Sequence, residues 1–240
     1  MITLGIETSA DFGSVALLDD RSAPVELVFS AEARHGGELV VRLAELFAKT
    51  NCPPTATDLI AVDIGPGSYT GLRVGVITAK TIAWALGKPI VGVVSLDVIA
   101  GEIPKEEIPL CVAIDAKQGE VYARIFEPAG SSHLSEPPVA AWQPKTEPLI
   151  LSVPQLKKML PARVLLAGDA LRRFGKELIH KEREVIPEAY WKPRSAVVAR
   201  IGEELYQKGE HDDPHKLQPL YLRRSLAEEM WEKRVASRGS

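Results

Sequence analysis

Leu4-Gly5-Ile6-Glu7-Thr8 and Val112-Ala113-Ile114-Asp115-Ala116 read as two copies of one strand ending. Each run is apolar and carries a carboxylate at its end. Each is followed within a few residues by a glycine and a second strand-like run, Gly13-Ser14-Val15 in the first case and Gly119-Glu120-Val121 in the second. Repetition of this kind implies two copies of one fold unit facing each other across a cleft.

Working outward from the first copy, Ile2 to Glu7 and Ser14 to Leu18 are strand-like and are separated by the turn-rich Ser9-Ala10-Asp11-Phe12-Gly13. A third strand fits Val25 to Ala31. The period then changes. Between Gly37 and Thr50, Leu39, Val40, Leu43, Leu46 and Phe47 fall at i, i+1, i+4, i+7 and i+8, one face of a helix. Leu59 to Ile64 is a continuous apolar run, as a buried strand requires. A helix is expected from about Thr70 to Leu86, ended by Gly87-Lys88-Pro89, with a strand from Ile90 to Val94. Around the second copy, Leu110 to Asp115 and Val121 to Phe126 form a hairpin. Val164 to Ala167 is a strand that Gly168-Asp169 turns into a helix. Ser195 to Gln207 is a helix, with Ser195 as its candidate N-cap and Gly209 just past its end. Gly130 to Pro148 is rich in Pro and Ser and shows no period. From His211 onward the chain is a polar tail in which Pro219-Leu220-Tyr221-Leu222-Arg223 is expected to dock back on the body.

The chain has 240 residues, 45% apolar and 25% charged, ordinary values for a globular protein with one large or two small domains. Its formal net charge of −3 gives no basic excess, so any RNA contact needs a local patch or a partner to supply the charge. Cys52 and Cys111 lie far apart and outside any CxxC pair, which reads as two reduced structural thiols. Met1 leads straight into a strand-like run, so no signal peptide is expected. No apolar run approaches the roughly 20 residues that span a bilayer, and no membrane association is expected. Arg238-Gly239-Ser240 reads as a vector remnant.

Gly65-Pro66-Gly67-Ser68-Tyr69-Thr70-Gly71-Leu72-Arg73-Val74-Gly75 joins a buried strand to a helix. Glycines there permit a sharp turn and expose amides at a helix start, which makes Gly65, Gly67 and Ser68 candidates for holding a phosphate. The alternative is a tight turn and nothing more. No Gly-Lys-Ser/Thr follows, so this is not a Walker loop. Inside the helix, Gly71, Gly75, Ala79 and Ala83 recur every four residues. Such a stripe lets another backbone come close, either the chain's own sheet or a partner helix. Glu7 and Asp115, at strand ends, are candidate catalytic carboxylates if they face across the cleft, or caps of the turns that follow them. The histidines are His35, His133, His180, His211 and His215. Four residues beyond His35 stands Leu39, and Pro214 separates His211 from His215, so no metal-binding pair is formed. There is no Gly-x-Ser-x-Gly nucleophile turn.

Ile6-Glu7-Thr8-Ser9 with Ser14-Val15-Ala16-Leu17, the glycine-rich segment Gly65 to Gly75, Asp115-Ala116-Lys117 with Gly119-Glu120-Val121-Tyr122, and Tyr221-Leu222-Arg223 together resemble the TsaB (YeaZ) family over nearly the whole chain. Lys117 stands where arginine is more usual, and Gly36-Gly37 departs from the usual serine-containing helix start. The resemblance implies an α/β, actin-like fold (the sugar kinase/Hsp70/actin superfamily) of two ribonuclease-H-like lobes. Residues 1–103 would form the N-terminal lobe with the partner helices, 104–225 the C-terminal lobe, and 226–240 a tail.

The same resemblance implies a cytoplasmic, non-catalytic activator of the transferase TsaD in forming threonylcarbamoyladenosine beside the anticodon of tRNA. A TsaE-type ATPase would complete the assembly, tRNA would be reached only through the complex, and the chain alone would form a homodimer. The chain would need no metal or cofactor of its own, with ATP or ADP acting at the level of the complex. The partner surface is expected on the two first-lobe helices, at Leu39, Leu43, Leu46, Gly71, Gly75, Ala79 and Ala83. The competing reading is a stand-alone metallopeptidase or ATP-using phosphotransferase of the same superfamily.

Overall fold

The computed structural model describes residues 1–30, 35–130 and 141–223. The first lobe runs β1 (Ile2–Glu7), β2 (Phe12–Asp19), β3 (Ser22–Ser30), α1 (His35–Lys49), β4 (Leu59–Gly65), α2 (Tyr69–Leu86), β5 (Ile90–Val94) and α3 (Ser95–Glu102). The second runs β6 (Leu110–Asp115), β7 (Glu120–Pro128), β8 (Trp142–Pro144), β9 (Leu149–Ser152), α4 (Val153–Met159), β10 (Val164–Ala167), α5 (Ala170–Leu178), β11 (Arg183–Val185) and α6 (Ser195–Gln207). The tail 226–240, Ala31 and His133 lie outside the described residues.

The first sheet has the order β3-β2-β1-β4-β5, antiparallel on the β1–β2–β3 side and parallel at β1–β4–β5. The second has the order β11-β10-β6-β7-β8, with β9 also on β7. Laid over one another, β6, β7, β10 and β11 repeat β1, β2, β4 and β5, with the same mixture of parallel and antiparallel pairs. The short β8 and β9 share the work of β3. The fold is therefore actin-like, two ribonuclease-H-like lobes, and the repeat read from the strand endings is a repeat of whole lobes.

The lobes are not two separate cores side by side. The last helix of each crosses over. Leu96, Ile99 and Ala100 of α3 belong to the core of the second lobe, beside Leu110, Phe126 and Trp142. In return Val197, Val198 and Ala199 of α6 pack on Leu59, Ala61, Ala16 and Val91 of the first sheet. The other face of that sheet presents Leu4, Ile6, Ile60 and Val62 to Leu39, Leu43 and Leu46 of α1 and to Val76, Ala79 and Ala83 of α2. Alternate residues of β1 thus serve opposite layers, as the two-residue period of a strand requires.

α6 can lie close because small residues face it. A side chain on Gly5 would put its Cβ 2.1 Å from the Ser195 backbone oxygen, and one on Gly202 would meet the Ala61 Cβ at 2.4 Å. The start of α6 differs from the sequence reading. Ser195 is its first residue rather than its cap, and its hydroxyl donates to Glu26 Oε1 at 2.9 Å while the Ser195 amide donates to Ser14 Oγ at 3.0 Å. β8, β9, α4, β11 and α3 are elements that periodicity did not reveal. Most of them are too short for a period to show.

The crossing predicts one cooperative unit. Gly5→Ala and Gly202→Val should each lower stability by about 2 kcal/mol or more, since the obstacles are backbone and a packed methyl. Gly37→Ala, where an added Cβ meets nothing within 4 Å, should leave it unchanged or raise it. Urea unfolding midpoints decide this, and a Gly5→Ala midpoint equal to wild type contradicts it.

Candidate functional site

Glu7 ends β1 fully buried, and its carboxylate does not open on a cleft. Oε1 accepts from the Ser9 amide at 2.5 Å and from the Ser9 hydroxyl at 2.7 Å, while Oε2 has no partner. The same Ser9 hydroxyl lies 3.1 Å from Asp63 Oδ2. Asp63, also fully buried near the end of β4, accepts from the Gly65 amide at 2.7 Å and from Ser95 Oγ, at the start of α3, at 2.6 Å. One hydroxyl hydrogen can serve only one carboxylate. The second contact is a hydrogen bond only when a carboxyl is protonated and donates to the Ser9 oxygen. Burial, and then the charge of Asp63, push Glu7 well above the usual carboxylate range, and burial pushes Asp63 up to about 6.

Asp115 does the equivalent work in the second lobe. Its Oδ1 accepts from the Lys117 amide at 2.8 Å, two residues on, as Glu7 accepts from Ser9. Its Oδ2 lies 3.3 Å from Lys117 Nζ and 3.8 Å from Arg173. The two strand-end carboxylates are turn caps, each engaged within its own surroundings. They do not form a pair across the cleft.

The glycine segment is spent on packing. Gly65 gives its amide to Asp63, and Ser68 gives its amide to the Ser9 carbonyl at 2.7 Å. The Ser68 hydroxyl caps α2 by accepting from the Gly71 amide at 3.3 Å. A Cβ on Gly67 would lie 2.4 Å from the Ser9 carbonyl oxygen, one on Gly71 would lie 2.0 Å from the Thr8 carbonyl oxygen, and one on Gly75 would lie 2.2 Å from Thr8 Oγ1. Of the phosphate candidates, Gly65 and Ser68 thus spend their amides inside the chain, and the missing side chains of Gly67, Gly71 and Gly75 let α2 sit on the β1–β2 turn.

The partner residues also need correction. Leu39, Leu43, Leu46, Ala79 and Ala83 are at most 6% exposed, and Gly71 and Gly75 are buried. All seven face the chain's own sheet and turn, because one helix face cannot serve both the sheet and a partner. The apolar residues that α1 and α2 turn outward are Val40 (59% exposed), Val41 (61%), Ile77 (59%) and Trp84 (68%), with Ala44, Ala48 and Ala85 beside them. For Val41, Ile77 and Trp84 the signal lay in the sequence, since they are apolar residues left over once the periodic stripe has been assigned to the core, whereas Val40, expected on that stripe beside Leu39, is turned to solvent.

Between the lobes lies a cleft of about 630 Å³, lined by Gly67, Tyr69 and Arg73 from the first lobe and Lys117 and Tyr122 from the second. The segment after α6 crosses it, docking as expected from Pro219 to Arg223. Asp212 donates its amide to Ile90 at 2.8 Å, Leu217 is buried in the first-lobe core, and Leu220 donates to Ile64 at 2.7 Å. Tyr221 packs on Tyr69, and Arg223 reaches the Ala116 carbonyl at 2.8 Å and the Glu120 carboxylate. This part of the C-terminal segment therefore lies on the N-terminal lobe from Asp212 to Tyr221 and reaches the second lobe at Arg223. His180, His211 and His215 are exposed, and among the described residues no three His, Cys, Asp or Glu side chains gather as metal ligands would. No described helix is long and apolar enough to cross a membrane.

This chain is 28% identical over 234 residues, 96% of its length, to the tRNA threonylcarbamoyladenosine biosynthesis protein TsaB of Bacillus subtilis, 98% of which is covered. Along nearly its whole length the chain is thus similar to a protein named TsaB. Its fold superposes on YeaZ from Pseudomonas aeruginosa with a TM-score of 0.77 at 21% identity, covering 92% of this chain and 99% of that one. A family model described as "TsaD: tRNA N6-adenosine threonylcarbamoyltransferase" matches residues 30–139. The corresponding transferase of Dictyoglomus turgidum is 39% identical over 113 residues, 40% of this chain and 34% of the transferase. This chain thus shares with the transferases a stretch that includes α1 and α2.

The buried carboxylates predict a pH dependence. Their folded pKa values lie above the unfolded ones, so their favourable contribution is complete below the unfolded value near pH 4 and is lost as pH rises through about 6 and beyond. Glu7→Gln keeps an acceptor for Ser9 and removes the charge. Relative to wild type it should gain stability at pH 8 more than at pH 4.5. An equal difference at both pH values, read from thermal unfolding, contradicts the assignment.

Proposed function

We propose that this chain is a non-catalytic subunit that binds and activates a TsaD-type transferase during formation of threonylcarbamoyladenosine beside the anticodon of tRNA. The observation that carries this reading is the outward apolar face of α1 and α2, Val40, Val41, Ile77 and Trp84, on a chain similar along 96% of its length to a protein named for that biosynthesis. Exposed apolar side chains grouped on two neighbouring helices mark a protein contact more often than a solvated surface. A tryptophan two-thirds exposed is the kind of residue that anchors an interface.

The internal arrangement supports the absence of chemistry in this chain. Its candidate carboxylates are engaged as turn caps, its glycine segment is filled by its own backbone, and Leu39, four residues after His35, is a core residue. Among the described residues no three His, Cys, Asp or Glu side chains gather as the stand-alone metallopeptidase reading would require. In the proposed assembly a TsaE-type ATPase joins the pair, ATP or ADP acts at the level of the complex, and the setting is the cytoplasm. The same apolar face would close a homodimer when the transferase is absent, since an isologous contact covers it at no other expense.

The test is reconstitution with the cognate transferase. Trp84→Glu and Ile77→Glu should leave the chain folded, because both sites face solvent, and should weaken association about tenfold or more. Burying one large apolar side chain contributes roughly 1.5–3 kcal/mol. tRNA modification should fall in step. Leu43→Glu should lose the fold itself. Retained association and modification in both folded variants would refute the assignment.

A further inference from the structure

α4 and α5 occupy in the second lobe the places that α1 and α2 occupy in the first, between the equivalent strands and against the same side of the sheet. Inward, the two helix pairs do the same work. Val153 and Leu156 of α4, and Leu171, Phe174 and Leu178 of α5, enter the second-lobe core. Outward, they have opposite characters. Where α1 and α2 show valine, isoleucine and tryptophan, α4 and α5 show Lys157, Lys158, Arg172, Arg173 and Lys176, all exposed. Arg163 before β10 and Lys181 after α5 extend the same run. Residues 153–181 hold seven lysines and arginines against two carboxylates, Asp169 and Glu177, in a chain whose formal net charge is −3. The remainder of the molecule is correspondingly acidic, so the excess of cations falls in the segment that builds α4 and α5.

Pairing within the chain does not consume this charge. Arg172 is engaged with Glu188, and Arg173 is 3.8 Å from Asp115. Lys157, Lys158, Arg163, Lys176 and Lys181 make no ion pair with any described residue. Of the acids nearby in sequence, Glu177, Glu182 and Glu184 are exposed without an ion-pair partner among the described residues, and they only partly offset five unpaired cations. Lysines fixed on short, packed helices and spread over two elements suit a repeating anion better than a single carboxylate. Arginines and lysines at such spacing neutralise successive phosphates and release their counterions.

We infer that the outward face of α4 and α5 is an RNA-backbone contact, through which this chain itself holds tRNA rather than reaching it only through its partner. The naming of tRNA as the polyanion rests on the function proposed above, whereas the basic face does not. The contact would be to phosphates, so it would position the substrate without reading its sequence. The internal duplication then serves two recognitions, an apolar face for protein on the first lobe and a basic face for nucleic acid on the second.

The experiment uses the full chain in complex with its transferase and measures tRNA binding by anisotropy across a salt series, with association of the two proteins measured separately. Lys157→Glu with Lys158→Glu, and Arg163→Glu with Lys176→Glu, should each weaken tRNA binding by about tenfold and lower the slope of log affinity against log salt by about two. Protein association should not change. Lys208→Glu with Lys216→Glu, the same change of net charge on other exposed sites, should have little effect. Unchanged affinity and slope in the α4–α5 variants overturns the inference. So does an equal loss in the Lys208/Lys216 control, which would make the effect one of net charge alone. A loss of protein association alongside tRNA binding also overturns it, because the face would then be a protein interface. If the unsubstituted proteins do not associate at all, it is the partner assignment that fails, and the basic face is then read from the tRNA affinity of the chain alone.

Discussion

The contact on which the rest depends is the approach of α6 to the first sheet. The Ser195 carbonyl sits where a side chain on Gly5 would be, and Gly202 rests on Ala61. That proximity is possible only because the α6 side of the sheet is lined at Gly5, Ala16 and Ala61 by small residues. It lets a helix from the end of the chain complete a core begun at its start. With α3 making the reverse journey, neither lobe has a finished core without the other. The inter-lobe cleft is consequently a feature of one folding unit, and the strap from Asp212 to Arg223 bridges it a further time.

The same economy governs the first lobe's other side. α2 is seated so closely on the β1–β2 turn that Thr8 donates its hydroxyl to the Gly71 carbonyl at 2.8 Å. Gly67, Gly71 and Gly75, where a Cβ would strike Ser9 or Thr8, are what allow it. Beneath that seat lie Glu7 and Asp63, joined through Ser9 and tied by Ser95 to the start of the crossing helix α3. Groups that looked chemical in isolation hold turns and helix starts together here.

Much of the architecture was legible in the sequence. β1, β5, β6 and β10 fall where the apolar runs placed them, and the matched strand endings foretold two lobes. The exchange of α3 and α6 was not legible, because periodicity says which face of a helix is buried and not against which sheet. The same limit explains the partner surface. Leu39, Leu43 and Leu46 are the strongest periodic signal on α1 because they belong to the core. The residues proposed to meet a partner, Val41 and Trp84, carry no period. The short β8, β9 and β11 offer too few residues for alternation to show. Glu7 and Asp115 illustrate a further limit, since a carboxylate at a strand end looks alike whether it caps a turn or faces a substrate. Only the Ser9 and Lys117 amides distinguish the two.

The central claim is that this chain works by contact through the outward faces of α1 and α2. Hydrogen–deuterium exchange of the full chain, with and without the cognate TsaD-type transferase, tests it most directly. The account predicts slowed exchange in peptides covering Val40 to Lys49 and Ile77 to Leu86, with none in Ala116 to Glu120 at the cleft or in Ala170 to Leu178 on the second lobe. Protection confined to the cleft or to the second lobe, with α1 and α2 exchanging as in the free chain, would contradict it.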